Sequence, residues 1–141
     1  MDHPGIFSSL RLSGAGLTAQ RIRMNAAAQN LANIDDTRGE AGGPYQRRRV
    51  VLEAVPFAQV LDAREAALTT SVEASVEKVL SQGRPVHDPS HPDADGDGMV
   101  WYPDMDLATE MLDLTSAARA YEANATALES AKAMALRALE I

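Results

Sequence analysis

The sequence predicts a mainly α chain with a small β insert. Long N- and C-terminal helices are expected to pair as an antiparallel coiled coil, with a short β-rich domain between them. Three observations carry this expectation. Residues 104–141 contain neither glycine nor proline and are dominated by Ala, Leu, Met and Glu, all strong helix formers. Residues 5–34 carry a second 3,4 spacing of apolar side chains. The stretch between them collects most of the glycines and prolines and switches to a period of two. The expected division is therefore residues 1–36 plus 104–141 as one helical unit and residues 37–103 as an insert.

In the first helix the apolar series runs Phe7, Leu10, Gly14, Leu17, Arg21, Met24, Ala28 and Leu31, interrupted only by Arg21 and the small Gly14. Gly14 and Gly16 each cost about 1 kcal/mol of helix stability against Ala, so their positive use is close approach of another helix. Ile34-Asp35-Asp36-Thr37 ends the helix, and Gly39, Gly42, Gly43 and Pro44 stop it from resuming.

Within the insert, Tyr45 to Glu53 reads as a strand around the β-branched pair Val50-Val51, and Pro56-Phe57 as a bend. Gln59 to Leu68 fits helix or strand. Thr70 to Leu80 alternates through Val72, Ala74, Val76 and Leu80, the pattern of a half-buried strand. Gln82-Gly83-Arg84-Pro85 reads as a turn, and Met99 to Tyr102 as a last short strand. Three or four strands are expected in all.

The last helix is expected from Asp104, with Asp104 or Asp106 as its cap, to Ile141. Its stripe runs Leu107, Met111, Leu114, Ala118, Tyr121, Ala125 and Leu128. It is longer than the first helix, so part of that stripe has no partner within the chain and is expected to pack on other molecules. The packing residues singled out are Leu10, Leu17, Met24 and Leu31 on one helix and Leu107, Leu114, Tyr121 and Leu128 on the other.

Composition narrows the function. A hydrophobic share of 45% with only 4% aromatic residues suits helices joined through Ala and Leu rather than a large sandwich core. The net charge of −7 argues against nucleic acid as the main partner. No apolar run approaches the length of a membrane span, and MDHPGIFSSLRL lacks the basic start and apolar core of a cleaved signal peptide. There is no cysteine, which excludes disulfides, thiol catalysis and cysteine-based zinc sites.

Three motifs have residue types that could carry chemistry. Asp93-Ala94-Asp95-Gly96-Asp97-Gly98 matches the opening of a calcium loop, with Asp104 at the twelfth position. Pro92 and Pro103 deny it the flanking helices, which favours an acidic β-turn. His87, Asp88, His91 and Asp93 have a zinc-like spacing, but Pro89 and Pro92 break the helix that would align the imidazoles. Arg47-Arg48-Arg49 reads as a solvated strand face or a contact to an acidic neighbour. No nucleophile elbow, phosphate loop or dinucleotide fingerprint occurs, so neither an enzyme nor a cofactor is expected.

Two segments of the first helix resemble the signature of bacterial flagellar rod and hook proteins: Gly14 to Gln20, including Gly16 and Leu17, and Ala28 to Asn33, including Asn30 and Asn33. Ala15 stands where that signature has Ser. Three further segments resemble the flagellar basal-body rod protein C family of the proximal rod: Gly42 to Arg48, Asp88 to Ala94 with Gly98 and Val100, and Glu110-Met111 followed by Ala118 to Asn124, which holds Arg119, Tyr121 and Asn124. The resemblance implies a structural subunit, exported by the flagellar type III apparatus without a cleaved signal. It implies terminal helices that pack with copies of the chain and with other rod proteins into a periplasm-spanning, torque-transmitting tube, with the insert outside. It implies no cofactor, metal, nucleic acid or membrane insertion. The alternative function is a calcium-responsive helical adaptor using Asp93, Asp95, Asp97 and Asp104.

Overall fold

The computed structural model describes residues 4–39, 42–56 and 70–139. Helix α1 spans Pro4–Ala32 and helix α2 spans Leu107–Leu139, of 29 and 33 residues. At 1.5 Å per residue they are about 44 and 50 Å long. Proline at the first position of α1 loses only an N–H that has no partner inside the helix. The last turn of α1 closes when the Asn33 N–H donates to the carbonyls of Gln29 and Asn30, 3.2 Å from each.

The start of α2 falls at Leu107, later than the expected Asp104. The Met105 N–H is turned back onto the Pro103 carbonyl at 3.0 Å, and Asp106, not Asp104, supplies the cap. Its Oδ2 accepts from the Thr109 N–H at 2.9 Å and from the Thr109 hydroxyl at 2.8 Å. The hydroxyl first, then the backbone N–H, holds the Asp106 carboxyl below its ordinary value of 3.8. The cap is thus fully present above that value and is lost as pH falls through the lowered one.

Among the described residues, four strands form two separate antiparallel ribbons rather than one sheet. Strand β1 (Arg48–Pro56) pairs with β2 (Thr70–Lys78) in the register Val50↔Val76, Leu52↔Ala74 and Ala54↔Val72. This ribbon lies against α1. The strand starts after Tyr45 and Gln46 because both are engaged elsewhere. The Tyr45 N–H donates to the Asp36 carbonyl at 3.0 Å, and the Gln46 side chain bridges to the backbone of Ser81. The ambiguous segment Gln59 to Leu68 lies outside the described residues.

The second ribbon corrects the turn expected at Gln82 to Pro85. Strand β3 (Arg84–His87) already includes Arg84 and Pro85, paired with Tyr102 and Trp101 of β4 (Met99–Tyr102). Proline is tolerated there because a two-stranded ribbon leaves each strand one edge that needs no donor. The turn itself is carried by Gly83 at φ +86°, where an added Cβ would lie 2.5 Å from the Tyr102 carbonyl oxygen.

The core among the described residues is made of small side chains. Ala19, Ala26, Ala27, Ala117 and Ala131 are buried between and beside the helices, together with Val100 from β4. An added Cβ on Gly16 would come within 3.0 Å of the Asn124 amide nitrogen. Lower on the pair, Asn30 bonds Glu110. Gly16 and Asn30 thus meet Asn124 and Glu110 in opposite chain directions.

Gly83→Ala should destabilise the chain by about 1–3 kcal/mol, because a side chain is forced into positive φ and against a backbone carbonyl. Urea unfolding of the variant beside Gly96→Ala, whose added Cβ meets nothing within 4 Å, checks this: only the former should lose substantial stability.

Candidate functional site

Where α1, β1 and α2 converge, two polar side chains are taken out of water. Asn30 is 1% exposed and Glu110 2%. A helix-borne carboxylate tolerates such burial only when its lone pairs are met. Here the Asn30 amide nitrogen donates to Glu110 Oε2 at 2.9 Å, and Arg47 Nε donates to Glu110 Oε1 at 2.6 Å.

Asn30 uses its whole bonding capacity. Its nitrogen also donates to the Arg48 carbonyl at 2.9 Å. Its oxygen accepts from the Arg48 N–H at 2.8 Å and from the Tyr45 hydroxyl at 3.2 Å. The amide acts toward Arg48 as a neighbouring strand's peptide would, so α1 closes the ladder at the first residue of β1. Aspartate in this place has no donor for either partner. Asn33, one turn on, turns its amide back to the Gln29 carbonyl at 2.7 Å.

The three arginines separate by role. Arg47 faces inward to Glu110 and lies 3.7 Å from Asp113, which Arg23 approaches from α1 at 3.9 Å. Arg48 donates to the Gln29 side chain at 2.7 Å. Arg49 lies on the exposed ribbon, paired with Glu77 at 3.1 Å. Arg49 thus fits the expected solvated strand face, whereas Arg47 finds its acidic partners within the same chain. A cavity of about 240 Å³ lies over this junction, lined by Arg23, Asn30, Arg47, Arg48, Glu110 and Asp113 among others.

The acidic turn is occupied by its own contacts. Asp93 accepts from the Thr37 hydroxyl at 2.7 Å and pairs with Arg38. Asp95 Oδ1 accepts from the backbone of Met99 at 2.9 Å and of Asp97 at 3.0 Å. Those bonds, Met99 first, lower its carboxyl below the ordinary value. Asp88 is lowered by the Ser90 hydroxyl and then by the Ser90 N–H. Among the described residues no group of three or more His, Asp or Glu side chains is placed to hold a metal ion.

The singled-out packing residues lie near the helix pair's surface. Leu10, Leu17, Met24, Leu31, Leu114 and Leu128 are half-buried, while Leu107 and Tyr121 are 51% and 38% exposed. The line of α2 that meets α1 is Glu110, Ala117, Asn124 and Ala131, about 60° around the helix from the line of Leu107, Leu114, Tyr121 and Leu128. Of the family-motif residues, Asn30 is buried, Gly16, Leu17, Asn33 and Asn124 are half-buried, and Arg119 and Tyr121 are exposed. The sequence names Tyr45, Arg47 and Glu110 only within longer segments, and nothing in it brings the three together at one site. The available signal was three consecutive arginines in an acidic chain.

Asn30→Asp should destabilise the chain more than Asn30→Ala: both leave the Arg48 carbonyl without its side-chain donor, but only aspartate sets a second carboxylate against the buried Glu110. Each buried partner left unpaired costs about 1–3 kcal/mol. Urea unfolding of both variants at neutral pH provides the ranking.

Two family models match this chain: Flagella basal body rod protein over residues 10–39 and Flagellar basal body rod FlgEFG protein C-terminal over residues 97–141. They fall on the two helices that carry the junction. Flagellar basal-body rod protein FlgC of Borreliella burgdorferi is 39% identical, with 97% of each chain covered. FlgC of Bacillus subtilis is 39% identical over 96% of this chain and 97% of its own. FlgC of Salmonella typhimurium is 37% identical with 92% of each covered. Relatives this similar over nearly the whole length place the chain in the flagellar basal-body rod protein FlgC family.

Proposed function

We propose that this structural rod subunit of the flagellar basal body polymerises through its terminal helices into a tube that transmits torque. The observation that carries the reading is the likeness to FlgC proteins along nearly the full chain, including both helices. Residues 1–36 plus 104–141 act as one unit that forms the tube wall, its helices paired as an antiparallel coiled coil, and residues 37–103 form a unit on its outside. The partners are further copies of the chain and other rod proteins, reached through the flagellar export apparatus.

The outward side chains of α2 support this reading. Leu107, Met111, Leu112, Met134 and Leu136 are each more than half exposed, a cost in water that neighbouring subunits remove. The small-residue seam between the helices supports stiffness, because backbones that approach closely leave little room to bend. The family is one of structural proteins, and the buried polar groups here are consumed in mutual bonds, which favours a role other than catalysis. The calcium-adaptor alternative draws no support, since Asp93 and Asp95 are engaged within the protein.

Leu128 and Glu129 test the seam. Leu128 is half-buried and Glu129 exposed. Leu128→Ala is expected to leave export intact but to reduce rod formation and motility, since truncation of a leucine buried in the assembly costs about 2–5 kcal/mol per subunit. Glu129→Ala should be near neutral. Swimming assays and counts of assembled basal bodies give the comparison, and normal assembly with Leu128→Ala but not with Glu129→Ala would rotate the packing face away from Leu128.

A further inference from the structure

The surface where α1 meets α2 is nearly uniform. Apart from polar groups, the buried side chains of the described helices are all alanine, Ala19, Ala26 and Ala27 on α1 and Ala117 and Ala131 on α2, with Gly16 set against Asn124. Such a seam does not choose its own alignment. Sliding α2 by one heptad, about 10 Å, replaces small residues by small residues. In one direction Gly16 comes to face Ala117; in the other it comes to face Ala131. Either slip leaves about one to two turns at an end of α1 beyond α2, so apolar burial favours the observed alignment only weakly.

The polar groups do distinguish them. Gly16 meets Asn124, and two heptads further along each helix Asn30 meets Glu110. By the same spacing Arg23 falls opposite Ala117. In the first slipped alignment Glu110 would face Arg23, which offers one ion pair but leaves Asn30 and Arg47 without their carboxylate. In the second, Asn30 would face Ala117 and Glu110 would lie beyond the end of α1. Only the observed alignment gives Glu110 both of its bonds and Asn30 all four.

We propose that the Asn30–Glu110–Arg47 junction is a register lock, which selects one alignment of α1 against α2 from several that the alanine seam allows. Buried polar side chains in helical seams act in this way because every misalignment leaves them unpaired. Arg47 makes the lock depend on the insert, since it precedes β1 and reaches Glu110 only when the ribbon is seated. The lock itself concerns the helix pair alone. Its consequence rests on the rod reading: it fixes the axial offset between Leu10 and Leu17 on α1 and Leu107 and Met111 on α2, and so the pattern offered to neighbouring subunits.

The chain has no cysteine, so introduced pairs report cleanly. The full-length chain is prepared with Gly16→Cys/Asn124→Cys for the observed alignment. Gly16→Cys with Ala117→Cys or Ala131→Cys reports the two slipped ones, in an Asn124→Ala background that removes the crowding at Gly16. Each pair is oxidised with and without Glu110→Leu, an apolar replacement that suits a buried position. Without it, only the 16/124 pair should close efficiently. With it, helix content by circular dichroism should persist while one slipped pair rises about tenfold. An unchanged crosslinking pattern in Glu110→Leu overturns the proposal. Loss of helix together with loss of every crosslink overturns it too, because the junction then maintains the fold rather than choosing its alignment. Failure of either kind leaves the rod reading untouched, as that rests on the family likeness and the Leu128 comparison.

Discussion

A carboxylate removed from water sets the terms for the rest of this molecule. Glu110 stands in the first turn of α2, where a charged side chain normally points to solvent, yet it is buried. Taking such a group into the interior costs several kcal/mol unless it is paired and hydrogen-bonded. The two groups that satisfy it come from elsewhere in the chain: Asn30 near the end of α1 and Arg47 just before β1. The three elements must therefore arrive together. The junction ties the insert to both helices at one point, and Asn30 extends the tie into the β1 backbone.

Above the junction the molecule depends on small size. Glycine and alanine at the contact let the helices approach until side chain meets backbone, as at Gly16 and Asn124. The contact surrenders the large apolar burial of a leucine seam. In exchange, the leucines and methionines of α2 remain on other faces, available to neighbours. A subunit that must be held on several sides needs more than one apolar face, and the narrow internal seam releases them. This links the composition, rich in alanine and poor in aromatic residues, to a rod subunit's task.

Much of this was legible in the sequence. Glycine and proline mark off both helices to within a few residues, and the alternation from Val72 to Val76 identifies β2. The strand β3 was not legible, because Pro85 reads as a turn residue and only its place at a ribbon edge makes it acceptable. The face that α2 turns toward α1 was not legible either. Its heptad line of Leu107, Leu114, Tyr121 and Leu128 is the more apolar, and periodicity rewards apolarity. The line used within the chain carries Glu110 and Asn124, and a buried pair separated by 80 residues leaves no periodic trace. The family motif did contain Asn30 and Asn124, but it gave them no physical role until their partners were seen.

The claim that Asn30 and Glu110 act as one unit is open to a double-mutant cycle. Unfolding free energies in urea would be compared for the parent, Asn30→Ala, Glu110→Ala and the double variant. A shared buried bond predicts a coupling of about 0.5–3 kcal/mol, with the second substitution costing much less once the first is made. Single effects that add to within about 0.3–0.5 kcal/mol would show two independent residues and contradict it.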